Sequence, residues 1–404
     1  MSDYLHGIEI KEGEKKVVIQ AGNTSVIALV GTAPKGAVNE VKLITSLSAG
    51  KAEYGDDIAG FTIPGALEVI FGSMNAKVLV VNVLAREKAG VLLEEDGRMT
   101  RDESGKVVTH LYKPVLPEAV DYTAAAVGGI ALLENCGDTL GVKPNVIIAP
   151  GYSQLAPVAA RMVAVAEKLN GFAVVDVVAD SVQAALTARN TGVYNITSPA
   201  AVLCFPVVMR YNSHEGINAE IGLSAFWAGA KALRDAEKGY HISPSNTELL
   251  GIAGLTVEVT SSLTDTAADS NLLNGAGIVT VFRKPGAGTR LWGNWTAAYP
   301  AAKTPDGMIA PRAVRMAIRE ALVDATLNYV DKTPTKIAID MVTEDVNAFL
   351  RGLAGKDAIV EGECRFAPEK NPAAEVAQGK LTFVLAVEYQ SSLERLTFEE
   401  TVEY

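Results

Sequence analysis

The apolar and polar positions of this chain fall into runs of different period. Ile8 and Ile10, then Val17 and Ile19, keep a two-residue period inside a charged, Gly-punctuated opening segment, which predicts extended chain. Residues 24–30 form a mostly apolar, β-branched run closed by Gly31 and Pro34, as in a strand buried on both faces. A helix is predicted over 64–72, with Pro64 near its start and Gly72 at its end, and a second buried strand over 77–84. Residues 86–117 change character: extended pieces at 91–93 and 107–112 flank an acidic stretch, which reads as an exposed hairpin-like insertion. Beyond it come a helix over 122–134, a strand over 144–150, a helix over 157–169 ended by Asn170-Gly171, and a strand over 172–178. Strand, helix, strand in that order predicts a βαβ unit.

A strand over 199–209 and a long helix over 219–238, ended by Gly239, come next. In 271–296, Ile278, Thr280 and Phe282 alternate with Val279, Val281 and Arg283, a Pro/Gly break follows, and 289–295 returns with Trp292 and Trp295. This predicts a hairpin. The helix from 311 to about 330 carries an apolar stripe of Val314, Ile318, Leu322 and Ala325, while Arg312, Arg315 and Arg319 share another face. Such a basic stripe suits an acidic partner, or ion pairs within the subunit to Glu320 or Asp324. A short helix over 344–353, capped by Thr343, precedes closing strands. In these, Leu381, Phe383, Leu385, Val387 and Tyr389 alternate with polar and small residues, and so do Leu396, Phe398, Val402 and Tyr404. A free amphipathic strand at a terminus is a pairing hazard in a monomer and useful in a polymer.

The fold class implied is α/β, in mixed α+β form and multidomain, with βαβ layers, a C-terminal strand-helix unit and extended strand arms at both ends. The expected divisions are an arm over 1–20, an N-terminal α/β unit over 21–118, a central α/β domain over 119–285, a C-terminal domain over 286–380 and closing strands over 381–404.

With 404 residues the chain exceeds what one hydrophobic core usually serves. Its net charge of −11, with no clustered Lys/Arg run, excludes ordinary nucleic-acid binding. No apolar run approaches the length of a membrane span, so no membrane insertion is expected. Cys136, Cys204 and Cys364 are far apart and show no CxxC spacing, which suits a reducing compartment.

Chemistry-bearing motifs are thin. The turn after 144–150 has Gly151 alone, and although Asp176 stands in the next strand, a dinucleotide site needs several glycines there. No phosphate-binding loop, nucleophile elbow or helical metal-ligand spacing occurs. No catalytic, cofactor-binding or metal residues are assigned. A soluble α/β enzyme of unrecognised type remains the alternative reading.

One set of segments carries a resemblance. LLNGAGI over 272–278, the following Arg283 and Gly-rich turn, and LWGNWT over 291–296 resemble the hallmark of contractile tail sheath proteins of bacteriophages and pyocin-type particles. Trp295 stands where that family more often has Arg. Residues 4–9, 25–34 and 242–246 resemble further family segments and come in the family's order. The resemblance implies a structural subunit that stacks as hexameric rings around a tail tube protein and contracts to drive the tube through a bacterial envelope, without cofactors. It implies further contact with baseplate and tail terminator proteins, assembly in the host cytoplasm and residence in the virion tail. It also implies that 286–380 faces the tube, with Arg312, Arg315 and Arg319 as possible contacts. Ile8, Ile10, Val17, Ile19, Leu396, Phe398, Val402 and Tyr404 would then belong to arms that add strands to neighbouring subunits. For the N-terminal arm the competing use is a strand docked on its own domain.

Overall fold

A computed structural model describes residues 25–84, 99–101, 107–109, 122–283, 286 and 288–402. Two compact units emerge. One holds the described residues up to Ala313 together with those from Ser391 onward, and the other is Val314–Gln390.

The strands of the larger unit are β1 (Val26–Gly31), β2 (Val41–Ile44), β3 (Lys77–Asn82), β4 (Met99–Arg101), β5 (Val107–Thr109), β6 (Val146–Ile148), β7 (Phe172–Asp176), β8 (Ala201–Cys204), β9 (Val208–Asn212), β10 (Ile217–Ile221), β11 (Ile252–Leu255), β12 (Ile278–Arg283) and β13 (Thr289–Trp292). One eight-stranded sheet runs in the order β13-β12-β8-β7-β6-β1-β3-β2. From β12 to β3 its strands are parallel, and β13 and β2 add antiparallel edges.

Both faces are covered, which is why β1, β3, β7 and β8 are buried almost throughout. On one face, Ala28, Val30, Leu79, Val81, Ile147 and Ala173 share a core with Ala126 and Ile130 of the helix Thr123–Leu132 and with Val158, Met162 and Val165 of the helix Ala156–Leu169. The helices Ile63–Ser73 and Leu223–Lys238 pack on each other and on the sheet. There Trp227 meets Phe172 edge-on, with ring centroids 5.7 Å apart.

One sheet draws strands from both sides of residue 119. β1 pairs with β3 on one side and with β6 on the other, so the 21–118 and 119–285 stretches build a single sheet, and β13 carries it past 286. A buried parallel strand needs partners on both edges, and the second partner of β1 comes from the central stretch.

Two local expectations change. The run over 199–209 is two strands in two sheets: Pro206, which has no N–H for a ladder, separates β8 from β9, and β9 joins the three-stranded sheet β10-β9-β11. The long helix begins at Leu223 and not at 219, because residues 217–221 pair antiparallel with β9. In the insertion, 107–109 pairs with 99–101, while 91–93 lies outside the described residues.

In Val314–Gln390 the helix that starts at Ile309 runs on to Thr326. A second helix spans Lys336–Ala354 and packs on β14 (Ile359–Phe366), which pairs antiparallel with β15 (Phe383–Tyr389). Asn347 fixes this packing: its Oδ1 accepts from the Cys364 N–H at 2.7 Å and its Nδ2 donates to the Cys364 carbonyl at 2.8 Å. The helix begins well before the expected 344, since the cap is Thr335, whose Oγ1 accepts from the Ala338 N–H. The hydroxyl of Thr343 donates to the Ile339 carbonyl inside the helix.

Candidate assembly site

The hallmark hairpin forms as its pattern predicts, with Thr280 opposite Trp292 and Arg283 opposite Thr289. Its first strand is buried on both faces up to Phe282, because β12 also pairs in parallel with β8. Asn274, from the preceding helix Asp269–Gly275, donates through Nδ2 to the carbonyls of Ile278 and Trp292 and so closes the open end of the hairpin. Gly277 makes the entry turn at φ +75, and a Cβ there would lie 2.5 Å from the Tyr299 carbonyl oxygen. The 242–246 segment lies against β13: the Asn246 N–H donates to Leu291 O, the Leu291 N–H to Thr247 O, and the Gly293 N–H to the Ser245 hydroxyl. Two segments that carried the resemblance separately are thus one structure.

Beyond β13, Trp295 stacks on Tyr299 with ring centroids 4.3 Å apart. Thr296 donates through both its N–H and its hydroxyl to Gly307 O, and the Ile309 N–H donates to Asn294 O, which ties the segment to the start of the following helix. Arg189 holds the whole from beneath. It sits in the helix Val182–Thr191, is 4% exposed, and its guanidinium donates to four carbonyls: Ala276 at 3.0 Å, Tyr194 at 3.2 Å, Ala297 at 2.8 Å and Tyr299 at 2.9 Å. Burial lowers its pKa. Neither this helix nor the role of Arg189 was foreseen; the signals were the cap Ser181, whose Oγ accepts from the Ala184 N–H, and Gly192.

Of the residues expected in the arms, Ile8, Ile10, Val17, Ile19 and Tyr404 lie outside the described residues. Leu396, Phe398 and Val402 are 68%, 89% and 62% exposed and stand in a stretch without helix or strand. The three arginines do not share one environment. The Arg312 Nη2 donates to the Gly171 carbonyl at 3.0 Å and its guanidinium lies 5.5 Å from the centre of the Phe172 ring, so Arg312 is committed within the subunit. Arg315 is half-buried and Arg319 is exposed.

A cavity of about 320 Å³ lies outside the carboxyl ends of β6 and β7, lined by Thr62, Gly151, Gln154, Asp176, Arg210 and Gly222 among others. Asp176, which a dinucleotide fold would turn to a ribose, is fully buried and caps the helix Leu223–Lys238. Its carboxylate accepts from the Ser224 N–H at 2.8 Å, the Ser224 hydroxyl at 2.6 Å and the Ser153 hydroxyl at 3.3 Å. Burial pushes its pKa up to about 6, against the downward pull of those bonds. Gly222 is required beside it, since a Cβ there would lie 2.1 Å from Asp176 Oδ2. Arg210 is likewise engaged, in ion pairs with Asp57 and Glu68. The three cysteines are buried free thiols, and among the described residues no group of His, Cys, Asp and Glu could hold a metal ion. No described helix is long and apolar enough to cross a membrane.

Residues 119–297 match the family of the phage tail sheath protein central domain, and residues 24–83 match the tail sheath protein Gp18 domain III N-terminal region. The tail sheath protein of Burkholderia phage BcepMu is 30% identical over 465 residues, which cover 99% of this chain and 97% of that one. The chain belongs to the phage tail sheath protein family. The tail sheath protein of Escherichia phage P2 is 25% identical across 100% of this chain and 96% of its own length. In fold, this sheath protein is similar to the helical sheath of the anti-feeding prophage in its contracted state, with TM-score 0.67 and 17% identity over 99% of both chains. It is similar also to the PVC sheath complex in its contracted state, with TM-score 0.68 and 14% identity over 99% of this chain and 98% of the other. The role of the chain is therefore that of a structural sheath subunit.

Proposed function

We propose that this sheath subunit polymerises by giving its terminal strands to neighbouring copies, forms stacked hexameric rings around a tail tube, and drives the tube forward when the lattice contracts. One observation carries the reading. The C-terminal run from Leu393 to Val402 exposes Leu393, Leu396, Phe398 and Val402 and has no strand partner within its own subunit among the described residues. A receptor of the right kind exists in each copy, because β14 and β15 pair only with each other among the described strands and leave two edges for added strands. Strand donation from copy to copy is heterologous and builds rings or helical filaments, whereas an isologous contact would close into a dimer.

Contraction then consumes no nucleotide. Its energy resides in two alternative sets of interfaces between rigid subunits, and the arms keep the lattice connected as the bodies turn. The contracted state of the anti-feeding prophage and PVC sheaths, whose fold this chain shares, supports that reading. The reading takes the subunit as structural and not catalytic, and it is supported by Asp176 and Arg210 at the sheet's carboxyl end, which are engaged in capping and ion pairing. Arg315 and Arg319 meet acidic groups of the tube. Baseplate and terminator proteins bound the polymer, which assembles in the host cytoplasm.

Electron microscopy of the purified full chain tests polymerisation, with striated hollow tubules of uniform width as the expected result. Removal of the residues before Val17, or of those after Leu393, should leave a folded monomer; normal tubules from either truncation would overturn the arm reading. Reversing the charge of Arg315 and Arg319 together should abolish tube attachment and leave tubules intact, and tube binding that survives the change would remove these residues from the interface.

A further inference from the structure

Given the reading of residues 393–402 as a connector, we propose that Trp295, Tyr299 and Glu394 form a clamp that fixes the root of the C-terminal arm on the subunit's own core. The indole Nε1–H of Trp295 donates to Glu394 Oε2 at 2.8 Å, a directed bond to a charged acceptor. The ring that presents this N–H is itself held. It stacks on Tyr299 at an interplanar angle of 29°, and Gly307 lies beneath it, where a Cβ would sit 3.4 Å from ring atoms Cε3 and Cζ3. Tyr299 is in turn anchored through its carbonyl to Arg189. From Ser391 onward the chain groups with the larger unit, although β15, just before it, belongs to Val314–Gln390. The clamp stands at that return.

What the clamp does follows from its position. Immediately after Glu394 the chain has no regular structure, and Leu396 and Phe398 stand in solvent. A free tail explores many directions, and docking it on the sheet of a second copy costs the entropy of all of them. Pinning its root shortens the free length and sets the direction of departure, which lowers that cost and raises the effective concentration of the arm at the neighbour's edge. Trp295 is therefore a positioning residue for the arm. An Arg at 295 would hold a carboxylate by charge on a flexible stem, whereas the indole does so with a rigid, stacked ring.

The test uses the full chain at concentrations below tubule formation. Trypsin cuts after Arg395, next to the clamp, and the released peptide 396–404 is quantified by mass spectrometry. W295F keeps the stack and loses the donor, E394A loses the acceptor, and E394Q keeps an acceptor oxygen. W295F and E394A are expected to release the peptide about fivefold faster, the equivalent of one modest hydrogen bond, with E394Q, which keeps an acceptor but loses its charge, between them and the unmodified chain. All variants should unfold at the same denaturant concentration, because Glu394 is exposed and Phe preserves the stacked ring. Equal release from all four proteins would overturn the clamp. Truncation after Leu393 separates this from the connector reading: if the truncated chain still forms normal tubules while the protection pattern holds, the arm reading falls and the clamp stands. If the protection pattern is absent, the clamp falls whatever the truncated chain does.

Discussion

Replacing Arg189 by Met removes a buried cation of similar length and strips donors from four carbonyls at once. Two of those bonds, to Tyr194 and Ala297, are fully buried, and those to Ala276 and Tyr299 are partly so. A buried acceptor left without a donor costs about 1–3 kcal/mol, and bonds from a charged donor are at the strong end of the range. Relief from desolvating the guanidinium, the cause of its lowered pKa, offsets part of this. A net loss of about 4 kcal/mol is expected for R189M. R189K should lose nearly as much, because an ammonium cannot reproduce a planar fork that reaches carbonyls on three separate segments. Arg161 provides the contrast: its pair with Glu134 leaves the arginine side chain 35% exposed, and R161M should cost under about 1 kcal/mol. Urea denaturation of the unassembled chain, followed by tryptophan fluorescence, measures all three. Hydrogen exchange at 294–299 should accelerate in R189M before global unfolding, since Ala297 and Tyr299 lose their anchor. An R189M chain within about 1 kcal/mol of the parent would refute the view that this residue holds the hallmark segment in place.

Other sites give equally definite expectations. Gly277→Ala puts a methyl 2.5 Å from the Tyr299 carbonyl at φ +75 and should cost more than about 1 kcal/mol, read from the same denaturation curves; a neutral result would show that the turn can relax. Arg210→Met strands Asp57, whose pKa burial already raises despite the arginine, and should cost about 3–5 kcal/mol, whereas double replacement with Asp57→Asn should recover part of it. Asp176 has a folded pKa raised from 3.8 to about 6, so the folded chain binds its proton more tightly than the unfolded chain does. Its contribution to stability is therefore fully present below about pH 4 and lost as pH rises through about 6, up to about 3 kcal/mol in all. The stability difference between the parent chain and Asp176→Asn should shift toward the parent on acidification across that window, and a difference independent of pH would show that Asp176 does not titrate there.

Which parts of the fold were legible follows from how each residue's environment is written locally. β1, β3 and the β12–β13 hairpin were readable because a strand covered on both faces is a continuous β-branched run, and breakers stand at its ends. β10 was absorbed into the following helix, since Ala219 and Ile221 suit either state and pairing with β9 decided it. Pro206 lies inside the run read as one strand over 199–209, and the change of sheet there depends on partners far away in sequence. In the hallmark, the hairpin was legible while its supports were not: nothing near Arg189 announces four carbonyls from elsewhere, and nothing near Trp295 announces Glu394. The three arginines were placed on one helical face by their spacing, but spacing says nothing of the Phe172 ring beneath Arg312.

The run over 393–402 shows the converse, a pattern present in the sequence and left without a strand partner among the described residues. Burying a large apolar side chain is worth about 1.5–3 kcal/mol, and in 393–402 Leu393, Leu396, Phe398 and Val402 are the large apolar residues. Ordering the chain costs about 1–2 kcal/mol for every residue, including the polar ones between them. Apolar burial on a neighbour therefore falls short of the ordering cost, and a smooth greasy surface would not hold the arm. On the proposed reading, main-chain hydrogen bonds to a strand edge supply the rest, which favours an open edge such as those of β14 and β15 over the exposed apolar side chains Val323, Leu327 and Ile337 elsewhere in Val314–Gln390. It also gives the clamp its weight: where the margin is this small, any part of the ordering cost met in advance within the subunit moves the assembly equilibrium directly.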